Sequence, residues 1–311
     1  MSGNRRRKPL IIGIGAAAVV LGALAALAFA TGVAGKPRIV RTAPEDILVG
    51  PHWVAERSDG ITIIDYRGGF DSYAEGHIPG AAHVAREVAW DTVDGIDGML
   101  PDPELVAADL EEAGVSSGRP VVVYDGGNGL WASRLFWALE YLGHERVHVL
   151  DGGVAAWEAA GYELSTEIAA PARGSFEPNL RPQLIADKDH ILERLGNEQL
   201  TILDTRSPQE FSGTDVRSAR GGHIPSSVNL DWVNNLGEDG TIRPIAELAR
   251  VYEEIIEGAR GGETVTLCQT GVRGAHTYLV LRVLGEEQVR VYDGSWAEWG
   301  NDPGAPVSSL D

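Results

Sequence analysis

The sequence of 311 residues contains an internal duplication, which constrains its fold more than any other feature. Short blocks of the first half recur in the second half in the same order, 139 to 146 residues later. The matched blocks are residues 61–67 with 200–206, 76–80 with 222–226, 121–125 with 264–268, and 149–153 with 291–295. A repeat of this length and order predicts two domains of one fold in tandem.

Each half alternates short apolar runs with helical patterns. The runs at 121–123 and 265–267 are continuous, which is typical of strands buried on both faces of a parallel sheet, and helical patterns follow them. The sequence therefore predicts an α/β fold of two tandem domains, each a parallel sheet with helices on both faces. We place these domains at residues 42–167 and 180–311, joined by a linker at residues 168–179.

A basic cluster and a long apolar run precede the repeats. Residues 5–8 are all Arg or Lys, and residues 10–30 carry no charge. About 20 apolar residues span a bilayer as a helix, and the basic cluster is expected to stay in the cytoplasm. We therefore expect residues 1–34 to be a single-pass membrane anchor, with both domains on the extracytoplasmic side. The alternative is a cleaved signal, which would leave a secreted or periplasmic protein, because residues 28–30 fit a cleavage site.

Charge and composition exclude several classes of protein. Lys and Arg number 26 against 45 Asp and Glu, a formal net charge of −19, so we do not expect this chain to bind nucleic acid. Its single cysteine, Cys268, excludes an internal disulfide, a cysteine-rich zinc site and an iron–sulfur cluster. The eight histidines show no ligand-like spacing, so the sequence predicts neither a metal site nor a cofactor.

Cys268 stands where an apolar strand gives way to a short loop and then a helix. Such a loop directs backbone N–H groups inward, and the helix N-terminus adds partial positive charge. Both would stabilise a thiolate or a persulfide, and Arg273 would add a cation at the end of the loop. A lone cysteine is otherwise a small buried hydrophobe, and loops that begin with a Cys and end with an Arg also serve phosphatases.

The repeated blocks resemble those of the rhodanese family in its tandem form, the thiosulfate and 3-mercaptopyruvate sulfurtransferases. The resemblance rests on Gly-His-Ile-Pro in both halves, on the segment at 293–299, and on the loop at 268–273. That loop contains Cys268, Gln269, Thr270, Gly271, Val272 and Arg273. The family implies a catalytically silent first domain, where Asp125 occupies the position of Cys268, and a second domain with the nucleophile. It also disfavours a phosphatase, because the related phosphatase loops are one residue longer.

The resemblance assigns supporting roles to several residues. Asp204 and Asp293 are expected to hold the loop through backbone hydrogen bonds. Asp65 and His77 are expected to polarise the hydroxyl of Thr270 in a relay that protonates a leaving enolate. The alternative is that Gly-His-Ile-Pro is a structural turn, because it occurs in both repeats. The Asp-x-Arg segments at 65–67 and 204–206 are each expected to pair internally.

The chain departs from the family at the residue that holds the anionic donor. Tandem sulfurtransferases usually carry an arginine where this sequence has Glu210. Arg217 and Arg220 are candidates to replace that cation, although a solvated basic loop is an equal alternative.

The favoured function is transfer of sulfane sulfur from thiosulfate, a small anionic donor, to cyanide or a thiol through a Cys268 persulfide. The alternatives are a 3-mercaptopyruvate sulfurtransferase and a non-catalytic persulfide carrier or sensor. Multiple turnover separates the enzymes from the carrier.

Overall fold

The computed structural model describes residues 42–258 and 262–309 of the protein. The expected anchor or signal at residues 1–34 lies outside the described residues. Within the described ranges, no helix combines the length and the apolar character needed to cross a bilayer.

The first domain is an α/β unit built on a parallel sheet. Its strands are β1 (Leu48–Val49), β2 (Thr62–Asp65), β3 (Ala82–His83), β4 (Asp91–Val93), β5 (Ile96–Met99), β6 (Val121–Tyr124) and β7 (Val147–Leu150). Its helices are α1 (Pro44–Ile47), α2 (Pro51–Arg57), α3 (Phe70–Glu75), α4 (Pro103–Glu112), α5 (Leu130–Tyr141) and α6 (Gly153–Ala159). The sheet order is β1-β7-β6-β2-β3, and β4 and β5 form a separate antiparallel hairpin.

The second domain repeats the five-stranded parallel sheet of the first. Its strands are β8 (Ile185–Ala186), β9 (Leu200–Asp204), β10 (Val228–Asn229), β11 (Glu263–Leu267) and β12 (Val289–Tyr292). Its helices are α7 (Lys188–Leu192), α8 (Pro208–Ser212), α9 (Ile245–Gly258), α10 (Val272–Val283) and α11 (Ser295–Trp299). The parallel order β8-β12-β11-β9-β10 matches the first sheet, which confirms the duplicated α/β fold predicted from the sequence. Between the domains, residues 168–179 contain no helix or strand.

Side chains of β6 alternate between two apolar layers because helices cover both faces of the sheet. Val122 and Tyr124 pack in one layer with Trp157 of α6. Val121 and Val123 pack in the other layer with the residues of α4 and α5. Burial on both faces is the physical reason that the strand reads as a continuous apolar run.

The second of these layers is shared by both domains. Helices α5 and α10 pack against each other within it. On α5, the buried carboxylate of Glu140 accepts hydrogen bonds from the Tyr278 hydroxyl (2.6 Å) and from the Arg282 guanidinium (3.1 and 3.2 Å). Removing one partner of a buried ion pair leaves an uncompensated charge, so this contact fixes how the two helices meet.

Candidate active site

Three neighbouring strands of the second sheet end at the same edge. Strand β11 ends at Leu267 and lies between β9, which ends at Asp204, and β12, which ends at Tyr292. The residues that follow these strands therefore lie close together, and this edge is where open α/β sheets bind ligands. Cys268 is the first residue after the central strand of the three.

The segment that follows β12 holds the Cys268 loop (residues 268–273) in place by hydrogen bonds. The N–H groups of Cys268 and Gly271 both donate to the hydroxyl of Ser295, at 3.2 and 3.1 Å. That hydroxyl donates in turn to the carbonyl of Tyr292 (2.8 Å). Ser295 has a φ of 49°, a left-handed conformation that is uncommon outside glycine, so the backbone here is strained to place this hydroxyl.

Two further backbone bonds tie the loop to helix α11. The N–H of Trp296 donates to the carbonyl of Cys268 (2.9 Å), and the N–H of Ala297 donates to that of Gln269 (2.8 Å). Gly271, with a φ of 78°, then turns the chain into α10. The first N–H groups of a helix have no partners within it, so the start of α10 presents donors and the positive end of the helix dipole beside Cys268.

A partly buried ion pair lies at the end of the loop. The Arg273 guanidinium donates to both oxygens of Glu210, at 2.7 and 2.9 Å. Burial alone would lower the pKa of Arg273, but its hydrogen bond to Glu210 and the nearby Cys268 and Glu210 groups raise it. Burial likewise opposes ionisation of Glu210, yet the Arg273 hydrogen bond and charge lower its pKa to about 2. Arg273 is thus a fixed cation beside the thiol, and Glu210 is the group that fixes it.

The equivalent loop of the first domain is the Asp125 loop (residues 125–129). The anion bound there is the side-chain carboxylate of Asp125 itself. The Asp125 carboxylate accepts from the N–H groups of Gly127 (2.9 Å), Gly129 (3.1 Å), Trp131 (2.9 Å) and Ala132 (3.2 Å). A loop of this kind, followed by a helix, therefore forms a cradle for negative charge. In the first domain the carboxylate fills that cradle, and the second domain has the smaller Cys268 thiol at the same position.

The roles expected of Asp204 and Asp293 need correction, because neither carboxylate binds the N–H groups of the Cys268 loop. Asp204 pairs with Arg206 (2.6 Å) and Asp65 with Arg67 (2.6 Å), which confirms the predicted internal pairing in both repeats. Asp293 instead spans the domain interface. It pairs with Arg134 (2.6 Å) and accepts from the N–H of Leu100 (2.7 Å).

The relay expected among Asp65, His77 and Thr270 is not formed. His77 is fully buried, its ring stacks on Tyr73 (3.8 Å between centroids), and its nitrogens contact the carbonyls of Tyr73 (2.8 Å) and Glu167 (3.0 Å). Asp65 is occupied by Arg67 and by the Tyr124 hydroxyl (2.7 Å).

The histidine of the second repeat supports the structural alternative. His223 stacks on Phe211 at 3.8 Å and contacts its carbonyl at 2.8 Å, as His77 does with Tyr73. Both histidines serve the packing of their own domain, which is why Gly-His-Ile-Pro occurs twice.

The two candidate arginines differ in what they contact. Arg220 is occupied by backbone carbonyls, including those of Trp299 and Ala305 (both 2.8 Å), so it ties down the C-terminal segment and is not placed to bind a donor. Arg217 is half exposed, pairs with Asp215 (2.7 Å) and lies 3.5 Å from Glu210. The Gln269 side chain donates to its carbonyl (3.4 Å), which places Arg217 next to the loop.

Several residues that shape the site were missed or misread at the level of sequence. Ser295 lies in the segment 293–299 on which the family resemblance rests. The contacts of its hydroxyl depend on a strained backbone, which the sequence pattern does not predict. The family pattern has an arginine where this chain has Glu210, and the structure shows that Glu210 is the partner of Arg273. Trp90, which donates to the carbonyl of Thr270, and Arg134, which lies against Gly271, belong to the first domain, so only the tertiary fold brings them to the loop.

A cavity of about 680 Å³ lies elsewhere, on the first domain. Its walls include Phe70, Tyr73, His83 and Leu105, and none of its lining residues belongs to the Cys268 loop. We assign the site by its nucleophile, its hydrogen-bond donors and its buried charges.

Known proteins resemble this chain in sequence and in fold. A family model described as a rhodanese-like domain matches residues 50–160 and again residues 187–302, so the chain belongs to the rhodanese family. A thiosulfate sulfurtransferase of Azotobacter vinelandii is 40% identical over 235 residues, covering 76% of this chain and 86% of the relative. The sulfur carrier protein TtuD of Thermus thermophilus is 32% identical over 279 residues, covering 85% of this chain and 96% of the relative.

Among solved structures, the 3-mercaptopyruvate sulfotransferase SseA from Escherichia coli superposes with a TM-score of 0.71 at 30% identity. The match covers 81% of this chain and 99% of that one.

We predict that Ser295→Ala loosens the Cys268 loop. Two N–H groups lose their acceptor, at about 0.5–1.5 kcal/mol each, so local opening becomes about 5- to 150-fold more frequent. Because Cys268 is 1% exposed, its alkylation by iodoacetamide is expected to accelerate by a factor in that range. Ser133→Ala is the matched control, since that buried hydroxyl bonds Gly129 on the Asp125 loop (2.6 Å). Alkylation of Ser295→Ala at the wild-type rate would contradict this role.

We predict that the Glu210–Arg273 pair makes the free energy of unfolding depend on pH. The pKa of Glu210 falls from 4.5 to about 2 on folding, so its contribution is complete above pH 4.5 and is lost as the pH falls towards 2. The wild type is expected to exceed Glu210→Gln in free energy of unfolding at neutral pH, with the difference shrinking below pH 4.5. Urea unfolding over this pH range measures it. A difference that stays constant with pH would show that the carboxylate charge does not stabilise the fold.

Proposed function

We propose that this protein is a sulfurtransferase that moves the outer sulfur of thiosulfate to cyanide or a thiol through a persulfide on Cys268. The observation that carries the proposal is the pair of equivalent loops. One holds a carboxylate with four N–H groups, and the other begins with a thiol beside a fixed arginine. The relatives named as thiosulfate sulfurtransferases support the same reaction.

The reaction proceeds in two displacements. The Cys268 thiolate attacks the outer sulfur of thiosulfate, the sulfur–sulfur bond of the donor breaks, and sulfite leaves with the electron pair. Cys268 is then a persulfide anion, with total charge conserved. Cyanide attacks its outer sulfur and leaves as thiocyanate, which regenerates the thiolate. Such a cycle gives ping-pong kinetics.

The chain supplies electrostatic stabilisation at each step. The start of α10, whose first N–H groups have no partner within the helix, lies beside the sulfurs along which the negative charge moves. Arg273 adds a cation that Glu210 prevents from swinging away. In the first domain, the Asp125 carboxylate occupies the cradle and is no nucleophile for this reaction, so that domain is catalytically silent.

Thiosulfate is favoured over 3-mercaptopyruvate by the chemistry of the leaving group. Sulfite departs as a stable anion, whereas mercaptopyruvate leaves an enolate that needs a proton. The relay expected to deliver that proton is not formed, because His77 and Asp65 are bonded within the first domain. The 1% exposure of Cys268 also favours a small donor.

A persulfide carrier is the second candidate. The low exposure of Cys268 would shield a persulfide from water and oxidants, and one relative is named a sulfur carrier protein. A carrier accepts one sulfur and releases it only to its partner, so turnover with cyanide distinguishes the two functions.

The proposal also places the protein at a membrane. The uncharged run at residues 10–30, behind the basic residues 5–8, is long enough for a spanning helix with both domains on the extracytoplasmic side. Fractionation of cells expressing the full chain tests this placement, and recovery of the intact chain in the soluble fraction would contradict the tether.

The decisive experiment is the intact mass of the full chain after incubation with thiosulfate. We expect a gain of one sulfur atom, its loss on addition of cyanide with release of thiocyanate, and many turnovers per protein. Cys268→Ser is expected to show none of these, whereas Asp125→Asn is expected to retain them. Undiminished transfer by Cys268→Ser would overturn the proposal, and loading without turnover would favour the carrier.

A further inference from the structure

Each loop is covered by equivalent parts of the opposite domain. The residues at the Cys268 loop and their counterparts at the Asp125 loop are 142 positions apart: Trp90 and Trp232, Gly98 and Gly240, Leu100 and Ile242, Arg134 and His276. The two halves of the interface therefore allow a direct comparison between a loop with a nucleophile and a loop without one.

One contact is common to both halves. The N–H of Leu100 donates to Asp293 (2.7 Å), and the N–H of Ile242 donates to Asp151 (2.9 Å). A hydrogen bond from a backbone N–H to an aspartate carboxylate therefore joins the domains in both halves of the interface.

The charged bridge distinguishes the two halves. Arg134 is fully buried and donates to the carbonyls of Ala89 (2.8 Å) and Gly98 (2.9 Å) and to the Asp293 carboxylate (2.6 Å). It lies against Gly271, where a Cβ atom would meet its Nη1 at 2.7 Å. Its counterpart His276 is also fully buried, and burial lowers its pKa to about 4, so it is uncharged at neutral pH.

The tryptophan and glycine contacts also differ between the two halves of the interface. Trp90 donates its indole N–H to the carbonyl of Thr270 in the Cys268 loop (3.2 Å). Gly98 packs so closely on Thr270 that a Cβ would meet the Thr270 Cβ at 2.5 Å. On the other side, Trp232 sets its ring edge-on to His276 (5.1 Å), and a Cβ on Gly240 would be 3.6 Å from Gly127, an ordinary contact.

We propose that Trp90 and Arg134 are positioning residues for sulfur transfer, and that the first domain acts as a clamp on the Cys268 loop. This inference rests on the proposed function. A buried charge pair is costly to desolvate, and the equivalent half of the interface is assembled with an uncharged histidine in place of Arg134. The clamp is built where loop N–H groups must stay fixed on a moving charge, since preorganised donors need no rearrangement during the reaction.

Single-turnover kinetics of the full chain test the clamp. Trp90→Phe keeps the packed ring and removes only the N–H, so its rate of sulfur loading from thiosulfate is expected to fall about 2- to 10-fold, as the loss of one hydrogen bond implies. The final amount loaded is expected to stay at one sulfur per protein. A merely structural defect would reduce that amount by reducing the folded fraction, and would leave the rate of the folded molecules unchanged. Trp232→Phe is the control and is expected to load at the wild-type rate.

A second pair of variants tests the close packing of Gly98 on the Cys268 loop. Gly98 and Gly240 have φ values of 89° and 80°, so alanine brings the same backbone strain at both positions, but only Gly98→Ala collides with Thr270. We expect slower loading by Gly98→Ala and wild-type loading by Gly240→Ala.

The outcomes separate the two proposals. Wild-type rates in both Trp90→Phe and Gly98→Ala would overturn the clamp, as would equal slowing in the two control variants. A wild-type protein that shows no Cys268-dependent loading would instead overturn the proposed function, and the clamp with it.

Discussion

The orientation of a few backbone N–H groups is the constraint on which the rest of this structure depends. A thiolate at the end of a strand is useful for sulfur transfer only if the donors around it stay fixed while charge moves outward by one atom. Ser295 holds two N–H groups of the Cys268 loop, helix α11 holds two carbonyls, and Arg134 fills the space beside Gly271. The loop is therefore fixed from its own domain and from the other one.

Duplication places a carboxylate and a thiol at equivalent positions of one chain. The two loops follow equivalent strands, but the first loop closes on the Asp125 carboxylate and the second begins with the Cys268 thiol. Trp90, Gly98 and Arg134 of the first domain meet the Cys268 loop across the interface, so the first domain is part of the site.

Sequence reasoning succeeded where a feature is local or repeated. The duplicated strands, the α/β class, and the internal pairs of Asp65 with Arg67 and Asp204 with Arg206 all follow from periodicity and short spacing. It failed where a role depends on distant contacts. Asp293 is bonded across the interface to Arg134, 159 positions away, and no local pattern encodes that meeting.

The same limit explains the misreading of the charged residues. Glu210 and Arg273 are 63 positions apart in the sequence. The residue at which this chain departs from the family, Glu210, is therefore the ion-pair partner of Arg273 in the loop. The sequence alone leaves Arg220 as a candidate to bind the donor, whereas in the fold its guanidinium donates to backbone carbonyls.

A crystal structure of the thiosulfate-treated protein tests the central claim most directly. The account predicts electron density for one extra sulfur on Cys268, within about 3.5 Å of at least two N–H groups of the loop or of the first turn of α10. That sulfur would occupy the position that the Asp125 carboxylate takes in the first domain. An extra sulfur that points away from these N–H groups, into apolar side chains, would contradict the account.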